Sequence, residues 1–127
     1  MSEILKRKEF ARWQIRENLP DEQLCKAVFE MEQGLIDAHL GGLLYKKRIA
    51  RPGTGKRGGF RTLLSARIGR RYVFLHGFSK SDMDNISQDE TKALQFAGSL
   101  FLELSDEALL KAMFAGVLLE VNCERYH

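Results

Sequence analysis

Proline and cysteine each occur only twice in this chain of 127 residues, and no apolar run approaches the ~20 residues of a membrane span. Few prolines, with 44% hydrophobic and 29% charged residues, exclude a disordered tail and predict a chain that folds alone. The opening MSEILKRKEF lacks the apolar stretch of a signal peptide, so a cytoplasmic protein without membrane contact is expected. Cys25 and Cys123 show no CxxC or Cys/His spacing, which predicts two ordinary thiols, no disulfide and no metal site. The length fits one domain over residues 1–127.

The most informative absence is of acid. From Ala38 to Ser81 there is no Asp or Glu, while Lys46, Lys47, Arg48, Arg51, Lys56, Arg57, Arg61, Arg67, Arg70, Arg71 and Lys80 give that segment a charge of +11. Residues 1–37 hold six bases against eight acids and residues 82–127 three against nine, so the net charge of +3 conceals a dipole. An uncompensated cationic surface repels itself and calls for a polyanion.

Hydrophobic periodicity gives the elements. Phe10 and Trp13 fit a short amphipathic helix over about Glu9–Glu17, with Trp13 in the core. After Leu19-Pro20-Asp21, a second helical stripe runs through Leu24, Ala27, Val28, Met31 and Leu35 to Gly34. Beyond Gly41-Gly42 the period becomes alternating: a strand over Leu43–Arg51, then a mobile basic loop through Pro52, Gly53, Gly55, Gly58 and Gly59. Phe60–Ile68 alternates Phe60, Thr62, Leu64, Ala66 and Ile68 with Arg61, Leu63, Ser65 and Arg67, which predicts one face packed inward and one carrying cations. A turn at Gly69-Arg70 makes a hairpin with Arg71–Lys80. Ser87-Gln88-Asp89-Glu90 has the form of a capping box opening a helix to about Leu104. Ser105 caps a last helix whose stripe is Leu109, Leu110, Met113, Phe114 and Val117. The expected class is α+β, a small antiparallel sheet packed against N-terminal and C-terminal helices with a cationic face or edge open.

The Gly-rich run Ala50–Arg57 is no phosphate loop. Ala50 stands where the first Gly is needed and Arg57 where Ser or Thr must follow the Lys, and Gly58-Gly59 leads into a strand instead of a helix N-terminus. Its glycines and cations suit close approach to a nucleic-acid backbone.

The segments Tyr45–Arg61 and His76-Gly-Phe-Ser-Lys80, with helices on either side, resemble the RelE/HigB family of toxin ribonucleases, and most closely its phage- and plasmid-associated HigB-like branch. The resemblance covers nearly the whole chain. It implies a RelE-like single domain and a type II toxin that cleaves messenger RNA on the ribosome, inhibiting translation. No metal or other cofactor is implied, because the RNA's own 2′-hydroxyl attacks the adjacent phosphate. The partner implied is a cognate antitoxin, of the helix-turn-helix, HigA-like kind.

Carried over by position, the resemblance assigns Lys46, Arg48, Arg61 and Lys80 to the catalytic site, with Arg61 and Lys80 within one nucleotide's reach of each other. The Arg and Tyr that follow in RelE fall on Ser81 and Ser87, which leaves His76, Tyr72, Tyr126 and His127 as candidates for the missing acid and stacking groups; His76 joins the catalytic set. Lys47, Arg51, Lys56, Arg57 and Arg67 are the expected RNA-binding cations. Two other classes stay open: a non-enzymatic inhibitor of the same fold, as in the gyrase-poisoning ParE branch, and a plain nucleic-acid-binding module.

Overall fold

The computed structural model describes residues 2–51, 53, 55–79 and 86–124, without the side chains of 55–57. The elements are β1 (Glu3–Arg7), α1 (Lys8–Arg16), α2 (Asp21–Glu32), β2 (Ala38–His39), β3 (Leu44–Arg51), β4 (Gly55–Arg67), β5 (Arg71–Ser79), α3 (Gln88–Leu102), α4 (Asp106–Phe114) and β6 (Leu118–Glu120). The strands form one sheet in the order β2-β3-β4-β5-β1-β6. Neighbours are antiparallel except β1 and β5, which run parallel. The fold class is α+β, as the periodicities predict.

Local chemistry sets the boundaries. In the Ser87 capping box, the Glu90 N–H donates to Ser87 Oγ at 3.1 Å and the Ser87 N–H to Glu90 Oε1 at 3.3 Å. Ser105 Oγ accepts from the Ala108 N–H at 3.1 Å and opens α4. The β4–β5 hairpin turns at Gly69, whose φ of +83° is open to glycine at little cost. Among the buried residues of α2 are Leu24, Ala27, Val28 and Met31.

The sheet is covered on both sides. Under α1 and α2, Phe10, Leu24 and Val28 pack with Phe60, Leu64 and Phe74 of the sheet. Under α3 and α4, Leu94, Leu102 and Leu109 pack with Leu63, Val73 and Leu75. Contact is close enough that a Cβ on Gly77 would lie 2.3 Å from the Trp13 ring, and one on Gly98 1.8 Å from Ser65 Oγ.

Several expectations are corrected. The Leu63 and Ser65 side of β4 is not an open cationic face: α3 lies over it, and β4 is buried from Gly59 to Ala66. The Gly-rich run is not a long loop either. β4 already begins at Gly55, paired with Arg51, and the register shift between Ile49 and Arg51 brings the Ile49 carbonyl to 2.1 Å from where a Gly59 Cβ would sit. Leu35 lies beyond the end of α2 and is exposed, as are Ile68 in the hairpin turn and Leu110, Phe114 and Val117, because α4 turns only Leu109 fully inward. Strands β1 and β6 were not legible at five and three residues.

The largest correction concerns the cysteines. Cys25 on α2 and Cys123 after β6 form a disulfide, with Cα atoms 5.7 Å apart and 98 residues between them in sequence. Hydrogen bonds hold the C-terminal segment to β1 and α2: the Val121 N–H donates to the Ile4 carbonyl at 2.9 Å and the Asn122 N–H to Asp21 Oδ2 at 2.9 Å. That juxtaposition is invisible in cysteine spacing. A bridge closing so long a loop restricts the unfolded chain, so Cys123→Ser is expected to lower the unfolding free energy by about 2–4 kcal/mol in denaturant titration. Thiol titration of the unfolded parent, without reductant, is expected to find no reactive thiol.

Candidate functional site

Cross-strand register assembles the site. Arg48 of β3 stands opposite Arg61 of β4, which stands opposite Phe78 of β5. In the next row Lys46 faces Leu63, and Leu63 faces His76. Residues directly opposite one another project from the same face, so Lys46, Arg48, Arg61 and His76 share two adjacent rows of the side on which α3 packs.

Their environments differ sharply. Arg61 is only 5% exposed, and its Nη1 has no hydrogen-bond partner among the described residues. Arg48 is exposed and held by Asp37, whose carboxylate lies 3.6 Å from Arg48 Nε and accepts the Arg48 backbone N–H at 2.6 Å. The His76 ring is half-buried, 5.7 Å from the Phe78 ring. Burial, then the positive charge of Arg7, pushes the His76 pKa below that of a free imidazole, while Glu90 pulls it weakly upward. The ring is therefore neutral at neutral pH and can accept a proton.

Arg7 is the cation that sequence reasoning missed. It ends β1, and its Nε donates to the Leu75 carbonyl at 2.5 Å. The basic run Lys6-Arg7-Lys8 was visible, but only the parallel pairing of β1 with β5 brings it beside His76.

Other expected site residues lie elsewhere. Lys47, expected on the RNA-binding surface, is 2% exposed on the opposite face, with Nζ 2.9 Å from Glu30; it serves as an internal counter-ion. Arg51 belongs to that same opposite face, stacked over the Phe60 ring at 4.5 Å and 3.9 Å from Glu17. Arg67 is six residues along β4 from Arg61, about 20 Å away, and pairs with Glu103. Tyr72 is buried away from the site: it accepts the Gly69 N–H and donates to Glu32, and burial with the Glu32 charge pushes its pKa up to about 12. Lys80, Ser81, Tyr126, His127 and the side chains of Lys56 and Arg57 lie outside the described residues, and so does the reach from Arg61 to Lys80.

The sequence dipole folds back on itself. Acids from the flanks pair with cations of the central segment: Glu3 with Arg71, Glu17 with Arg51, Glu30 with Lys47, Asp37 with Arg48 and Glu103 with Arg67. The cationic surface is thus smaller than the +11 segment implies, and Arg61 is set apart by being buried with its Nη1 unpartnered among the described residues. Two guanidiniums on neighbouring strands can hold the oxygens of one phosphate between them. Among the described residues no group of three or more His, Cys, Asp and Glu is arranged to hold a metal.

A family model described as the RelE toxin of the RelE/RelB toxin–antitoxin system matches residues 2–121. No curated protein matches the chain.

Two expectations follow from the geometry. The unfolded chain binds a proton at His76 more readily than the folded chain, so stability falls as the pH drops through the ordinary imidazole range toward the folded pKa, then levels off. Denaturant titrations at about pH 7.5, 6.5 and 5.5 check this, and His76→Gln is expected to flatten the profile. Removing one partner of the Lys47–Glu30 pair leaves a buried charge, so Glu30→Ala is expected to cost about 3 kcal/mol, whereas the double change Glu30→Leu, Lys47→Met restores most of it.

Proposed function

The chain belongs to the RelE toxin family, and from that premise we propose that it is a HigB-like toxin that cleaves messenger RNA on the ribosome in the cytoplasm. The observation that carries this reading is Arg61, a buried guanidinium with an unpartnered Nη1 directly opposite Arg48. Enclosing such a charge is costly until an anion completes it, and an RNA phosphate has the matching charge and geometry.

In the proposed reaction the 2′-oxygen attacks the adjacent phosphorus, the bond to the 5′-oxygen breaks, and a 2′,3′-cyclic phosphate remains. Neutral His76 takes the 2′-hydroxyl proton, and a lysine ammonium, Lys46 or Lys80, returns one to the departing 5′-oxygen. Arg61 and Arg48 hold the non-bridging oxygens as negative charge builds on them. Ribosome binding places the messenger in line for attack, which replaces much of the entropy cost of an encounter in solution. The antitoxin that family membership implies is, in this reading, a helix-turn-helix protein of the HigA kind.

The reading is tested on programmed ribosomes. Arg61→Ala is expected to lower the cleavage rate by about 10²–10³ with a smaller loss of binding, and Arg61→Lys to recover part of the rate. Arg51→Ala, on the opposite face, should cleave at nearly the parent's rate. With about four phosphate contacts, single-stranded RNA affinity is expected to fall with a log–log salt slope of about −3. Parent-rate cleavage by Arg61→Ala, or no cleavage by the parent, defeats the proposal.

A further inference from the structure

On another part of the molecule, α2, β1, α4 and the segment after β6 enclose a groove of about 540 Å³. Val28 and Phe29 of α2 and Leu109 and Met113 of α4 give it an apolar lining, and Phe29 remains 55% exposed. Its charged lining is acidic, Glu3, Glu32, Glu120 and Glu124, and no Lys or Arg among the described residues lines it. Glu3 is neutralised by Arg71. Among the described residues Glu32 accepts from the hydroxyls of Ser2 and Tyr72 and from no cation, and Glu120 and Glu124 have no ion pair.

We propose that this groove docks an amphipathic helix of a protein partner, its apolar side seated between α2 and α4 and its flanking Lys or Arg residues paired with Glu32, Glu120 and Glu124. Charge complementarity selects this occupant. The chain carries a net +3 with its bases concentrated in the central strands, so a cationic segment is repelled by that part of the surface and steered to the acidic groove. An exposed Phe beside a buried apolar floor is a surface that a helix with apolar residues at i, i+3, i+4 and i+7 covers. The inference does not rest on the ribonuclease reading, since none of the groove residues belongs to the Arg61 site.

Fluorescence anisotropy with the full chain tests it. The probe is a labelled designed helix of about 16 residues with a leucine stripe flanked by lysines, compared with one carrying Glu for Lys and one carrying Ser for Leu. Only the first is expected to bind, with affinity that weakens as salt rises. Glu120→Gln with Glu124→Gln is expected to weaken it several-fold, and adding Glu32→Gln to bring the loss to about tenfold. Circular dichroism and thermal unfolding verify that each variant is folded. The proposal is overturned if the lysine-flanked helix does not bind, if the Glu-flanked helix binds equally well, or if the folded triple variant keeps the parent's affinity. Concentration-dependent dimers that the triple variant abolishes, seen by sedimentation, also overturn it, because the occupant is then a second copy of the chain.

Discussion

The middle of β4, from Phe60 to Ser65, is paired along both edges, to β3 and to β5, and the stretch from Gly59 to Ala66 is buried. Much of the structure answers to that constraint. A strand so placed needs side chains that pack in both directions, so helices gather on both sides of the sheet, and the backbone must thin where they press closest. Gly77 yields to Trp13 on one side, and Gly98 yields to Ser65 on the other. The same enclosure puts Arg61 almost out of water, where its positive charge acts through a lower effective dielectric than on an open surface.

Charge in this chain does two different jobs. Some cations are structural: Lys47 is spent on Glu30, and Arg71, besides pairing with Glu3, donates from Nη1 to the carbonyls of Phe101, Leu102 and Leu104, capping the C-terminal end of α3. Arg61 differs from these. Arg61 is buried like a structural cation yet lacks a full set of partners, and that combination separates it from Arg51 and Arg67, whose counter-ions lie beside them. Asp21 shows the opposite outcome. Burial would raise its pKa, but the Asn122 N–H, Gln14 and Lys6 more than offset this, holding it below the usual carboxylate value and the C-terminal segment against α2.

Much of the architecture was legible because it depends on short-range chemistry. The capping box at Ser87, the cap at Ser105, the turn at Gly69 and the α2 stripe each arise within a few residues, where periodicity and side-chain hydrogen bonding speak for themselves. Of the site, Arg48, Arg61, Lys46 and His76 were named from the strand pattern together with the family resemblance, and the register then placed all four on one face. Alternation failed for Lys47: its parity in β3 was readable, but not that α2 would set Glu30 over that side.

The α+β class, the strong helix starts, the hairpin and the concentration of positive charge between Ala38 and Ser81 can all be read along the chain. Each of these is written in neighbouring residues. Folding in three dimensions set which cations pair with acids, that β1 inserts beside β5 and brings Arg7 to His76, and that Cys25 meets Cys123 across 98 residues. The physical reason is the same in all three. Pairing across a sheet, burial under a helix and bridging between distant segments are set by which parts of the chain share space, and no local pattern encodes that.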